Sequence, residues 1–145
     1  MVRLEESIVI KCPVEKVFAY TTEAKSWPKW HGTIPEAEQT SVGQVGIGTT
    51  FKGKTRMMGQ TSKWTAKVIE YQPHERWGKI IDSGSVIIDD KLIFAPTEGG
   101  TGFTMVYDVK VSGFLKLLSS MIISSMRKQL KTDVINLKNI LETLS

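Results

Sequence analysis

The sequence predicts an α+β protein: one mostly antiparallel sheet, two short helices early in the chain, and a long helix that closes it. Three observations carry this. Apolar and polar residues alternate in strand-length segments through most of residues 36–111. Helical spacing is confined to a stretch after Pro13 and to the residues that follow Ser112. Clusters such as QPHE and APTEGG punctuate the alternating segments as turns.

The elements follow in order. Residues 3–11, RLEESIVIK, read as a strand with Leu4, Ile8 and Ile10 at alternating positions. Pro13 suits a first helical position, and Val14, Val17 and Phe18 recur at helical spacing behind it. A second helical turn is expected over residues 22–27, ended or kinked by Pro28, whose ring excludes an interior hydrogen bond. The segment VGQVGIGTTF has the glycine order GxxGxG and runs into strand-like residues. It is a glycine-rich turn and not a dinucleotide fingerprint, which needs GxGxxG opening a helix. Strands are then expected at 62–71, 76–82, 85–94 and 101–111, alternating apolar-in and polar-out. The closing helix is expected over about 113–143, with Leu130, Val134, Leu137, Leu141 and Leu144 as a core stripe.

The first half of that helix, GFLKLLSSMIISSM, is unusual. On a wheel of 100° per residue, Phe114, Leu115, Leu117, Leu118, Met121, Ile122 and Met126 cover roughly half the circumference. The centre of this arc is rotated by roughly 110° from the stripe of the second half. Either the helix bends near Ser124–Ser125 or its halves face different things.

Bulk properties narrow the function. The chain has 145 residues, 41% hydrophobic and 23% charged, which suits one folded domain over 1–145. The single cysteine, Cys12, excludes an internal disulfide framework, and no spacing of histidines, cysteines or acids suggests a metal. The acids in MVRLEES argue against a signal peptide, and no apolar run reaches a membrane span, so a cytoplasmic location is expected. A net charge of +4 is too mild to imply nucleic-acid binding. Monomer or weak homodimer is the expected state, and no cofactor is expected.

Four phrases in sequence, ESIVIKCPVEKVFAYTTEAKSWPKW, VGQVGIGTTF, VIEYQPHERW and EGGTGFTMVYDV, resemble the signatures of the START-like superfamily. This superfamily is also called SRPBCC or polyketide cyclase/dehydratase-like, and it shares its fold with the birch-pollen allergen. The resemblance implies a helix-grip fold, in which a curved sheet of about seven strands wraps the C-terminal helix and leaves a cavity for an apolar small molecule. The first half of the long helix would then form one cavity wall, with its methionines tolerating varied ligand shapes.

Strand parity nominates the lining. Phe51 points inward while Lys52, Lys54 and Arg56 point outward; Trp64, Ala66 and Val68 share one face; Val86, Ile88, Leu92 and Phe94 share another. The expected ligand-binding residues are Trp27, Trp30, Phe51, Trp64, Ile88, Phe94, Phe103, Met105, Phe114, Leu118, Met121, Ile122 and Met126. Trp27 and Trp30 fall in a segment that resembles the family's cavity mouth, where they either cap a ligand or pack beneath the helix junction. Asp90 has inward parity and is the sharpest ionisable candidate, unless it is solvated or paired with a lysine. Tyr107 has the same parity and a phenol to offer, and His31 is a weaker candidate.

Two functional classes stay open, with a third behind them. One is a carrier or sensor of a lipid, isoprenoid or aromatic, which the outer residues Lys52, Lys54, Arg56, Lys63 and Lys67 could hold transiently at an anionic membrane. The second is a cyclase, aromatase or dehydratase that uses Asp90, Tyr107 or His31. The third is a protein-binding adaptor of the chaperone-activator type.

Overall fold

A computed structural model describes residues 1–144. Seven strands form one antiparallel sheet in the spatial order β1-β7-β6-β5-β4-β3-β2. They are β1 Val2–Ile10, β2 Glu36–Gln39, β3 Thr50–Met57, β4 Gln60–Gln72, β5 Arg76–Asp82, β6 Val86–Thr97 and β7 Gly100–Val111. The sheet is curved, and a long C-terminal helix α3, Ser119–Leu144, packs in its grip. This is the helix-grip architecture.

The short helices differ from expectation at Pro28. Helix α1 covers Val14–Thr21, with the Pro13 carbonyl accepting from the N–H groups of Lys16 and Val17 at 3.0 and 3.2 Å. A 3-10 turn follows at Ala24–Ser26 and leads into a one-turn helix α2, Trp27–Trp30. Pro28 therefore lies in the opening turn of α2 and does not terminate a helix. Its missing N–H is one of those that a helix start leaves unpaired anyway.

Alternation fixes the sheet's faces. Every second residue of β4 from Trp64 to Val68 is buried, and β6 buries Asp90, Leu92 and Phe94 on one face. The register of β6 with β5 and β7 runs unbroken, so no bulge reverses that parity. The one shift lies in β4 between Val68 and Glu70. Strands β6 and β7 run further than expected, to Thr97 and from Gly100, which leaves Glu98 and Gly99 as the turn where APTEGG suggested a longer connection.

The closing helix departs most from the wheel. Gly113–Leu118 is a 3-10 helix, and α geometry begins only at Ser119. A 3-10 helix has three residues per turn, so its apolar positions do not continue the face of an α-helix. From Ile122 onward a single buried stripe runs through Met126, Leu130, Asp133, Val134, Leu137 and Leu141, within an arc of about 120°. The apparent rotation comes from Phe114, Leu117 and Met121, which are 81%, 84% and 56% exposed. They face solvent, not a second protein surface. At the far end, Glu142 accepts the Lys11 backbone N–H at 2.9 Å and Lys138 donates to the Val9 carbonyl at 2.7 Å, which ties α3 to the end of β1.

Candidate ligand-binding site

The inner face of the sheet and the stripe of α3 do not meet everywhere. A hollow of about 180 Å³ is lined by Met57, Trp64, Ile81, Ile88, Ile122 and Met126, with Leu115 and Leu118 of the 3-10 helix beside them. A smaller hollow of about 60 Å³ shares Thr55, Met57, Trp64, Ile81, Ile88 and Met126 with it and reaches Tyr107, Gln129 and Asp133. The rim includes Met58 at the tip of the β3–β4 hairpin. Met58 and Gly59 both have positive φ, 54° and 77°, as a two-residue hairpin turn of the type that follows strand twist requires.

The lining is apolar with a few polar atoms. The Trp64 indole N–H is buried without an acceptor, which is unusual for a buried donor. Tyr107 lines the smaller hollow, and its hydroxyl makes no hydrogen bond among the described residues. Burial, reinforced by the carboxylates of Asp90 and Asp133, holds the Tyr107 phenol well above its ordinary value of 10.0. The group is therefore a neutral donor at physiological pH.

Alkaline pH should expose this burial. Above about pH 10 the unfolded chain releases the phenolic proton while the folded chain keeps it, so the contribution to stability, complete below that pH, is lost as pH rises. Tyr107→Phe is expected to flatten the alkaline limb of a stability–pH curve measured by urea unfolding between pH 8 and about pH 11. An unchanged limb would show that Tyr107 is solvated.

Register explains Asp90. One row crosses the inner face through Leu4, Tyr107, Asp90, Lys79 and Val68 on β1, β7, β6, β5 and β4. Lys79 Nζ lies 2.7 Å from Asp90 Oδ2, and both side chains are buried. The ammonium also sits over the rings of Trp27 and Trp77, at 4.5 and 4.6 Å from their centroids, a cation–π arrangement. Asp90 Oδ1 has no partner among the described residues. Asp90 is thus inward, as its parity indicated, and committed to a lysine.

A second buried cluster closes the inner end of the smaller hollow. Asp133 on α3 accepts from the Gly32 N–H at 3.0 Å and from Gln129 Nε2 at 2.7 Å, and its other oxygen lies 3.2 Å from His31 Nδ1. His31 is therefore a structural partner of Asp133 and does not line either hollow.

The structure brings Trp64, Ile88, Tyr107, Leu118, Ile122 and Met126 together around the space. It places Trp27, Trp30, Phe51, Phe94, Phe103 and Met105 in packed core away from it. Trp27 lies against Phe51, Trp64 and Trp77 at centroid distances of 4.8 to 6.3 Å, and its indole donates to the Thr21 carbonyl. Trp30 donates to Ser26 Oγ. Both are buried beneath the helix junction and line neither hollow. Phe114 and Met121 point outward. Sequence reading missed Lys79, Gln129 and Asp133. Asp133 lies on the helical stripe between Leu130 and Leu137, and an acid at a core position was the available signal.

Two of the five outer basic residues are paired, while Arg56, Lys63 and Lys67 have no ion-pair partner among the described residues. Lys52 pairs with Glu38 and Lys54 with Glu36 across to β2, at 3.1 and 2.9 Å. Among the described residues no group of histidines, cysteines or acids could hold a metal ion, and no helix is long and apolar enough to cross a membrane.

The family described as polyketide cyclase / dehydrase and lipid transport matches residues 1–142. No curated protein sequence matches the chain. Among solved structures, TTHA0849 from Thermus thermophilus is similar at a TM-score of 0.83 and 16% identity, with 99% of each chain covered. The ZhuI aromatase/cyclase from Streptomyces sp. R1128 is similar at 0.83 and 11% identity, over 97% of this chain and 93% of the other. Ara h 8.0201 is similar at 0.68 and 16% identity, over 98% of each chain. At these identities the likeness speaks for the fold.

Proposed function

The chain belongs to the polyketide cyclase / dehydrase and lipid transport family, and on that premise we propose that it binds a small apolar molecule carrying a hydrogen-bond acceptor, without turning it over. The observation that carries this reading is the apolar hollow between sheet and α3, whose lining holds two unpaired donors, the Tyr107 hydroxyl and the Trp64 indole N–H. Burial of apolar surface would drive binding at roughly 25 cal/mol per Å² before its costs. An acceptor on the ligand would satisfy a donor that the chain itself leaves unpaired.

The enzyme reading has less support. Chemistry on a polyketide-like substrate needs an ionisable group free to exchange a proton beside the substrate. Asp90 is held by Lys79, and Asp133 by Gly32, Gln129 and His31. Of the three candidates, only Tyr107 lines the space with its polar atom uncommitted.

Two probes of matched shape test the proposal: 1-tetralone, which carries a ketone acceptor, and tetralin, which lacks it. NMR titration is expected to show binding of both, with the ketone favoured by roughly threefold to tenfold, as one hydrogen bond would give. Tyr107→Phe should shrink that preference. Met126→Trp, which fills the hollow, should abolish both. Failure of either probe to bind the wild-type chain, or binding that survives Met126→Trp, would overturn the proposal.

A further inference from the structure

Five exposed apolar side chains, Met58, Phe114, Leu117, Leu118 and Met121, lie at one edge of the hollow, while the others, such as Val42, Ile47 and Ile135, are scattered. Phe114 and Leu117 lie on the 3-10 helix, and Met121 follows one turn into α3. Leu118 is 39% and Met58 49% exposed, and both also line the hollow. Solvating large side chains in this number at one place is costly, and such patches mark interaction sites.

Charge identifies what the patch meets. Between residues 109 and 132 the sequence carries Lys110, Lys116, Arg127, Lys128 and Lys131 and no acid. Among the described residues none of the five has an ion-pair partner, and all are exposed. Lys110, Lys116 and Arg127 line one shallow groove with Ser119, Ser120 and Ser124, between the start of α3 and the β1 and β7 residues Val2 and Val109, and Lys116 adjoins Leu117 in the chain. The neighbouring turn contributes Ser83, Gly84 and Ser85, with Asp82 turned into the Gly84 N–H at 2.8 Å.

We propose that this edge, the 3-10 helix and first turns of α3, docks on an anionic lipid surface, with Phe114, Leu117 and Met121 in the acyl boundary and Lys116, Arg127 and Lys110 against headgroups. An apolar stripe flanked by cations is the pattern that places a helix in the interfacial plane. Each cation near an anionic leaflet adds about 1 kcal/mol. A second copy of this chain fits the edge poorly. A two-fold contact sets the same patch against itself and would oppose two unpaired cationic groups. Docking would also set the rim of the hollow, at Leu118 and Met58, against the lipid. It does not depend on what the hollow binds.

Vesicle flotation tests it, with vesicles containing phosphatidylserine compared with vesicles of phosphatidylcholine alone. The wild-type chain is expected to float with the anionic vesicles at low salt, to leave them as salt rises, and to bind the neutral ones weakly. Phe114→Ser with Leu117→Ser, at exposed positions that the fold does not need, should weaken partitioning by at least about tenfold. Lys116→Gln with Arg127→Gln should weaken it roughly 25-fold, about fivefold for each cation. Met126→Trp should leave it unchanged, so failure of docking and failure of ligand binding are read separately. No flotation, equal binding to both vesicle types, or indifference to the Phe114–Leu117 change would overturn the proposal. So would sedimentation velocity showing that Phe114 and Leu117 instead hold a dimer.

Discussion

Asp90→Ala is expected to cost about 3–5 kcal/mol of folding stability, because it leaves the Lys79 ammonium buried without its carboxylate. The pair sits in the inner row of the sheet, 2.7 Å apart, with the two indoles of Trp27 and Trp77 over the ammonium. Those rings keep part of the attraction for a cation, but they supply no acceptor for its N–H groups. Urea unfolding at neutral pH measures the loss. The converse substitution, Lys79→Met, is expected to cost a similar amount, since Asp90 already has one oxygen without a partner. Replacing both together, Lys79→Met with Asp90→Leu, should return stability to within about 1 kcal/mol of the starting protein or raise it. That recovery separates a desolvated ion pair from a favourable one. A single-variant loss below about 1 kcal/mol would mean that water reaches the pair and that the row is open to the hollow.

The same result bears on catalysis. If Asp90 serves the fold, the double variant keeps ligand binding in the adjacent hollow, whose lining does not include Asp90 or Lys79. A double variant that folds but no longer binds would assign the pair a part in the site.

The sheet was readable in the sequence because parity is a local property. Trp64, Ala66 and Val68 share a face whatever they pair with, and Asp90 falls on the inner face because it lies two residues from Leu92. Pairing partners are not local. Lys79 meets Asp90 only through the register of two strands, and an alternation that reads Trp77, Lys79, Ile81 as one face places a cation among apolar residues without saying what neutralises it. The closing helix shows a different limit. The wheel assumes a constant 100° per residue, and the 3-10 stretch Gly113–Leu118 violates that assumption. The breadth of the apolar arc was real, but its direction was not recoverable. Half of it turned to the hollow, and Phe114, Leu117 and Met121 turned to solvent. Trp27 and Trp30 carried no periodicity that could tell a rim from a core, and only the contacts with Phe51, Trp77 and Phe103 decide it.

Asp133→Ala is expected to have the second large effect, about 3 kcal/mol, and to act on the fold and the site together. The carboxylate joins α3 to the segment that follows α2, through the Gly32 N–H and His31, and Gln129 braces it from one turn away. Its removal strands the Gly32 N–H and frees the imidazole stacked on Trp30 at 3.8 Å. Asp133→Asn keeps one acceptor oxygen and should lose less, because that oxygen can still take both the Gly32 N–H and Gln129 Nε2, while the amide turns its donor toward His31. Thermal unfolding ranks the two variants. NMR titration with 1-tetralone then tells whether the inner end of the hollow keeps its shape, since Asp133, Gln129 and Tyr107 line it together. A structural role gives weaker binding in proportion to lost stability, and Asp133→Asn should recover both. Binding that collapses in Asp133→Asn while its melting temperature stays near that of the unaltered chain would instead place the carboxylate against the ligand.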